Sequence, residues 1–172
     1  GLHTIHSTSE QLLRFVENYR SLTLLPTPAP QPFYVKPFLE RMLVLARATD
    51  GAEGLLMECS VSPADLMLYA DESLLTHVFT NLLKNAVEAL QTSAAQERYI
   101  RVEASIDEAE TVRIRVCNNG PAIPADVAEQ MFVPFFTTKN GGSGIGLSLS
   151  ARIMQASGAR MELEESSDRE TV

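Results

Sequence analysis

The sequence predicts an α+β fold, a two-layer sandwich in which helices cover one face of a mixed sheet. Three observations predict it. Tyr99 to Ile106 and Thr111 to Cys117 alternate apolar and polar residues, and the acidic turn Asp107 to Glu110 between them makes an antiparallel hairpin. Asp71 to Leu90 repeats apolar residues at helical spacing: Leu75, Val78, Phe79, Leu82, Ala86, Val87 and Leu90 fill one broad face. The order of elements is strand, helix, two strands, helix, two strands, loop, helix, strand, without an internal repeat, and helices on one face of a sheet are its natural packing.

Composition narrows the class. The chain has 172 residues, 45% hydrophobic and 21% charged, which fits one globular domain with an appendage rather than a disordered chain. No apolar run reaches the length of a membrane span, and no signal peptide is visible. The net charge of −8 argues against a general nucleic-acid binder, so any anionic ligand must find local donors. Cys59 and Cys117 match no metal-ligand spacing; they fit a reducing compartment and read as small core residues. A start without Met and an end in mid-pattern read as a fragment of something longer.

Gly1 to Leu25 reads as a helix. Ile5, Leu12 and Tyr19 recur every seven residues, with Thr8, Phe15 and Leu22 three after each, a heptad seam that wants a partner helix. His3 and His6 lie on it without a third metal ligand, as surface histidines do. Pro26 to Pro32 has four alternating prolines, which forbid helix; it is a stiff spacer and the domain boundary, and a motif for a proline-reading domain is the alternative. This gives three segments: 1–25, 26–32 and 33–172.

Beyond the boundary, Phe33 to Val35 is a short strand and Pro37 to Thr49 a helix with Pro in its first turn. Gly51 and Gly54 bracket a turn, and Leu55 to Val61 and Leu66 to Ala70 are two strands expected to pair. After the hairpin comes a long irregular stretch, Asn118 to Gly142, with a short helical turn at Ala125 to Met131. A helix from Ser143 to Ser157 and a strand at Arg160 to Glu164 complete the order.

A polar stripe cuts through the Asp71–Leu90 helix: His77, Asn81, Lys84, Asn85 and Glu88, stacked by offsets of three and four. Asp71 caps its start. Two Asn in mid-helix each cost several tenths of a kcal/mol against Ala, by a rough estimate. An ordinary wet face is one reading. The other is that neutral amide oxygens coordinate a hard cation while Lys84 neutralises a phosphate.

Three loop motifs bear on that choice. Gly141-Gly-Ser-Gly-Ile-Gly146-Leu lacks the Lys of a Walker loop and the spacing of a dinucleotide loop. It can be a hinge, or a glycine turn that brings backbone close to an anion at a helix start. Phe132-Val-Pro-Phe-Phe-Thr-Thr-Lys139 is either core or the anchor of a lid, and Lys139 is near enough to the glycines to reach a phosphate. Asn118-Asn-Gly-Pro-Ala-Ile-Pro124 follows a strand as a tight turn, and an Asn at a strand end can also read a base edge.

Together, in this order, the motifs resemble the ATP-binding catalytic domain of sensor histidine kinases, within the gyrase and mismatch-repair ATPase superfamily. Asn81-Leu-Leu-Lys-Asn85-Ala resembles its asparagine box, Asn118 to Pro124 its first glycine box, Phe132-Val-Pro-Phe-Phe136 its phenylalanine box, and Gly142 to Leu147 its second glycine box. The likeness runs from Phe33 to Glu165. Phe15-Val-Glu-Asn-Tyr-Arg20 in the first helix resembles the dimerisation hairpin of the nitrogen-regulator-like branch.

The resemblance implies a Bergerat-type ATP-binding fold and phosphoryl transfer from ATP, with Mg²⁺, to a histidine in a bacterial two-component system. Asn81 and Lys84 are the implied catalytic residues and Asn85 the implied Mg²⁺ ligand. The implied nucleotide-binding set is Asn81, Lys84, Asn85, Asn118, Gly120, Ala122, Ile123, Phe132, Lys139, Gly142, Ser143, Gly144, Ile145, Gly146 and Leu147. Implied partners are a second copy through the hairpin helices and a response-regulator receiver domain, without nucleic acid. The implied location is cytoplasmic, with membrane anchoring of the full-length protein left open.

Departures from the family pattern are expected to matter. Asn118 stands where the family has an adenine-reading Asp; its amide oxygen can accept from the adenine amino group, as a neutral and weaker acceptor. Ala122 replaces a glycine, and its methyl crowds the base. The final strand is absent, which leaves one sheet edge unfilled. The phosphoacceptor His of the first hairpin helix is absent too, and His3, His6 and His77 are poor substitutes, so the chain is not expected to autophosphorylate by itself. These departures leave a second reading, a nucleotide-binding-impaired scaffold acting through dimerisation and partner contact. A third, a gyrase-like ATPase, fits the first helix and the phenylalanine box less well.

Overall fold

The structure is a computed structural model that describes residues 13, 16, 17, 19, 20, 23–167 and 170–172. In chain order its elements are β1 (Gln31–Tyr34), α1 (Val35–Arg47), β2 (Leu56–Ser62), β3 (Met67–Ala70), α2 (Glu72–Gln91), β4 (Tyr99–Ile106), β5 (Val112–Asn118), α3 (Ala125–Ala128) and α4 (Gly146–Ala156). β4 lies between β2, which is parallel to it, and β5, which is antiparallel, so the sheet is mixed as expected.

The burial pattern explains the layering. Ile100, Val102 and Ala104 of β4 point inward and are almost fully buried, while Arg101 and Glu103 between them carry an ion pair on the other face. α1 lies against β2, and α2 against β4 and β5. Val87 and Leu90 of α2 are fully buried. Each such side chain contributes ~1.5–3 kcal/mol. Phe33, Phe38 and Phe79 form a chain of rings with centroids 5.4 Å apart, joining β1, α1 and α2. A second cluster, Leu74, Val78 and Ile153 with Leu25 and Leu149 against them, packs α4 onto α2. Asp71 caps α2 as expected, accepting from Leu74 N at 3.0 Å.

Several sequence expectations need correction. β2 and β3 do not pair with each other: β3 pairs antiparallel with β1, and β2 runs parallel to β4. A parallel pair needs a long crossover, and α2 supplies it. The first strand begins at Gln31, inside the expected spacer, and Pro32 is tolerated because a two-stranded sheet has only edges. Val35 belongs to α1 rather than to the strand; its N–H donates to Leu66 O and its side chain is fully buried. α4 begins at Gly146, not Ser143, because Gly144 sits at φ +65, outside helical space.

Arg160 to Glu164 forms no strand. Glu164 N donates instead to Val172 O, and Thr171 exchanges both backbone hydrogen bonds with Asn118 at the end of β5. Leu82 is only half-buried, whereas Leu74 and Leu83, omitted from the expected face, are buried. Cys117 is buried as expected, but Cys59 is only partly so. Of the first 25 residues, Leu13, Val16, Glu17, Tyr19, Arg20 and Thr23 are described and helical, whereas Leu24 and Leu25 are described and not helical, so the helix stops short of the expected Leu25. His3, His6 and the seam positions Ile5, Thr8, Leu12, Phe15 and Leu22 lie outside the described residues.

Candidate functional site

The polar stripe of α2, the end of β5, the loop from Asn118 to Ile145 and the start of α4 enclose a cleft of about 690 Å³. Asn81, Lys84, Asn85, Asn118, Ala122, Ile123, Phe132, Lys139, Gly142, Ser143, Gly144, Gly146 and Leu147 all line it. Gly120 and Ile145 do not: Gly120 lies beneath Asn118, and Ile145 is buried, its carbonyl accepting from Ser148 Oγ and Leu149 N.

Asn81 is held where α2 meets α4. Its Nδ2 donates to Ser150 Oγ at 3.2 Å, and Ser150 is itself buried. A Cβ added to Gly146 would lie 2.2 Å from Asn81 Oδ1, so any larger residue at the start of α4 must push the Asn81 amide aside. The first N–H groups of α4, which have no partner within the helix, open beside this contact. One turn along α2, Asn85 Oδ1 accepts from Lys139 Nζ at 2.8 Å. Lys139 also pairs with Glu88, and Lys84 lies 3.9 Å from the other oxygen of that carboxylate. The expected pair of amides and pair of ammonium groups thus share one wall, with a single carboxylate between the cations.

The loop is braced by its own backbone. Phe135 N donates to Gly144 O at 2.8 Å, and a Cβ on Gly144 would come within 2.5 Å of the Phe135 carbonyl carbon. Phe135 stands at φ +67, a position that costs a bulky residue and that this contact holds in place. The turn Lys139–Gly142 is closed by Gly142 N donating to Lys139 O.

At the far end of the cleft Asn118 is 8% exposed, and its Oδ1 accepts from Gly120 N at 3.0 Å. Asn119 is a tie within the fold: it accepts from Tyr99 N and donates to Glu97 O, both at 2.8 Å. Ile123 N donates to Ser166 Oγ. His77 is exposed and does not line the cleft. Sequence reasoning missed Ser150, an ordinary small helix residue with no local signal; Glu88 was visible in the stripe but not placed in the site.

This fold and this wall of amides facing a glycine turn define a nucleotide-binding ATPase domain. The chain belongs to the histidine kinase-, DNA gyrase B- and HSP90-like ATPase family, which matches residues 70–172, and ATP is the ligand of such domains. Among its relatives, the C4-dicarboxylate transport sensor protein DctB of Rhizobium meliloti is 32% identical over 95% of this chain and 26% of its own length. The sensory histidine kinase/phosphatase NtrB of Rhizobium leguminosarum bv. phaseoli is 36% identical over 65% of this chain and 32% of its own. The chain therefore spans about a quarter to a third of these relatives. The nucleotide-free catalytic domain of histidine kinase ThkA is 27% identical, with a TM-score of 0.70 over 83% of this chain and 91% of that one. Among the described residues no helix is long and apolar enough to cross a membrane.

Proposed function

We propose that this chain is the ATP-binding catalytic domain of a two-component sensor histidine kinase, delivering the ATP γ-phosphate to a histidine outside the described residues. One observation carries the reading: Asn81 and Asn85 face the Gly144–Gly146 turn across one cleft, with Gly146 so close to Asn81 Oδ1 that a methyl group there would overlap it.

The residues present fit a Mg²⁺–triphosphate. Asn85 Oδ1 already faces a cation, the Lys139 ammonium, and a neutral amide oxygen suits a hard divalent ion. When bound, Mg²⁺ neutralises charge on the phosphate oxygens. The chain supplies the rest. Lys84 and Lys139 offer cationic partners, and the N–H groups of the glycine turn and of α4 offer donors to an anion. Asn81, fixed by Ser150, orients the reacting phosphate or its acceptor. Phe132 anchors the loop, and Asn118, Ala122 and Ile123 lie where a base would sit. Phosphoryl transfer asks mainly for positioning and charge neutralisation, so no general-base triad is needed.

Leu13, Val16 and Tyr19 are more than half exposed on their helical segment, which supports pairing with a second copy. A neighbour in fold, ThkA, is solved in complex with the response regulator protein TrrA, which supports a receiver domain as the next partner here. The family match gives the scaffold alternative no support. The test is calorimetric titration of the folded protein with Mg²⁺ and a non-hydrolysable ATP analogue. Binding below millimolar, lost in Asn85→Ala, is expected; no binding at millimolar nucleotide overturns the reading.

A further inference from the structure

Residues 121–124 line the base end of the cleft as a short loop wall. Pro121 and Pro124 carry no N–H, so the wall has only the N–H groups of Ala122 and Ile123 to donate. That of Ile123 goes to Ser166 Oγ at 2.7 Å. Among the described residues no other hydrogen bond reaches residues 121–123. The wall is thus tied to the fold through one hydroxyl, on a half-buried residue that does not itself line the cleft.

Ser166 stands on a braced mount. Residues 164–167 run antiparallel to 170–172: Glu164 N donates to Val172 O at 2.9 Å, and Val172 N donates to Glu165 O at 2.8 Å. The Glu170 carboxylate fixes this segment to the sheet, accepting from Tyr99 Oη at 2.6 Å and from Arg101 Nη2 at 2.8 Å. Thr171 exchanges both backbone hydrogen bonds with Asn118, and its Oγ1 lies 3.2 Å from Ser166 Oγ. Asn118 and Ile123 therefore take their positions from adjoining points of one segment. With Ser166 Oγ accepting from Ile123 N, its own proton remains to be donated, and Thr171 Oγ1 is within reach. Alanine at 166 would leave the Ile123 N–H without its acceptor and release the wall from this reference. A displacement of about 1 Å in a group that positions a ligand is enough to be felt.

We propose that Ser166 is a positioning residue for the base: acting through Ile123, it sets the gap between the loop wall and Asn118 in which adenine is held. The proposal rests on reading the cleft as the nucleotide site. The test is calorimetric titration with Mg²⁺ and ADP of the wild type, Ser166→Ala, Ile123→Ala and the double variant, each shown by circular dichroism to be folded. Ser166→Ala is expected to weaken ADP about fivefold. Ile123→Ala is expected to weaken it about threefold or more. The double variant should bind no more weakly than Ile123→Ala alone, because the side chain that Ser166 places is gone; a general loss of structure would make the two effects add. Ser166→Thr keeps the accepting oxygen and should stay within about twofold of the wild type. Unchanged affinity in Ser166→Ala, losses that add in the double variant, or an equal loss in Ser166→Thr overturns the assignment while leaving the nucleotide site standing. If folded wild-type protein binds no ADP at millimolar concentration, the site reading itself fails, and this proposal with it.

Discussion

Lys139 Nζ reaches across the cleft to Asn85 Oδ1 at 2.8 Å, joining residues 54 positions apart. The side chains of Lys139 and its other partner Glu88 are 48% and 32% exposed, so this pairing adds at most about 1 kcal/mol to stability. Its importance lies in where it puts a positive charge. Lys139→Met is expected to leave the melting temperature nearly unchanged and to weaken Mg²⁺–ADP binding about tenfold by calorimetry. Unchanged affinity would remove Lys139 from the site, and tighter binding would make it a competitor of the metal at Asn85.

The two cleft glycines are expected to respond differently to substitution. At Gly146 the obstacle is a side chain, Asn81, which can move at the cost of its bond to Ser150. Gly146→Ala should therefore keep the fold, helped by Ala propensity in α4, and lose about tenfold or more in nucleotide affinity. At Gly144 the obstacle is Phe135 backbone, and φ is +65. Gly144→Ala should lose about 1–3 kcal/mol as well as binding. Equal denaturation midpoints for the two variants would contradict this account.

Acid sensitivity follows from Asp71. Hydrogen bonds from the backbone N–H groups of Ala29 and Leu74 hold its carboxyl below the ordinary aspartate range. A depressed carboxyl stabilises the fold above its unfolded value, and that stabilisation disappears as pH falls through the folded one. Glu164, held low by Arg115, acts in the same direction. Asp71→Asn keeps a capping oxygen but cannot titrate, so its urea midpoint should fall less steeply than the wild type's on acidification. Parallel curves would exclude Asp71 as a source of the acid limb.

Cys117 should report global unfolding. It is 2% exposed, and burial, with Glu170 and Glu103 nearby, pushes its thiol up to about 11. Thiolate is then scarce at neutral pH, and access requires β5 to leave the sheet. Alkylation should be slow in native protein and rise with urea along the unfolding curve, with half-buried Cys59 reacting first. Rapid labelling of Cys117 in native protein would show that β5 opens locally.

The legible parts of the fold were those whose pattern is local. The β4–β5 hairpin announces itself by alternation on both sides of an acidic turn, and α2 by its cap and apolar face. Strand partnership is not local: β2 and β3 adjoin in sequence, yet each finds a partner tens of residues away, and nothing in Leu55–Ala70 encodes that choice. The site divides in the same way. Asn81, Asn85 and the glycines stood out because each is costly or unusual where it sits. Ser150 did not, because a buried serine on a helix has no signature until Asn81 is placed against it. Asn118 could be located but not oriented, since the contact with Gly120 that turns its amide appears only once the turn is folded.

Asp71 also holds Ala29, and Leu25 packs against the cluster of Leu74, Val78 and Ile153, so the incoming chain is moored near the start of α2 at two points. α2 is a stiff rod, and Asn81 lies about 15 Å along it from that mooring. A twist or pull applied before Leu25 is thus delivered to the rod that bears both amides, rather than being absorbed by a slack tether.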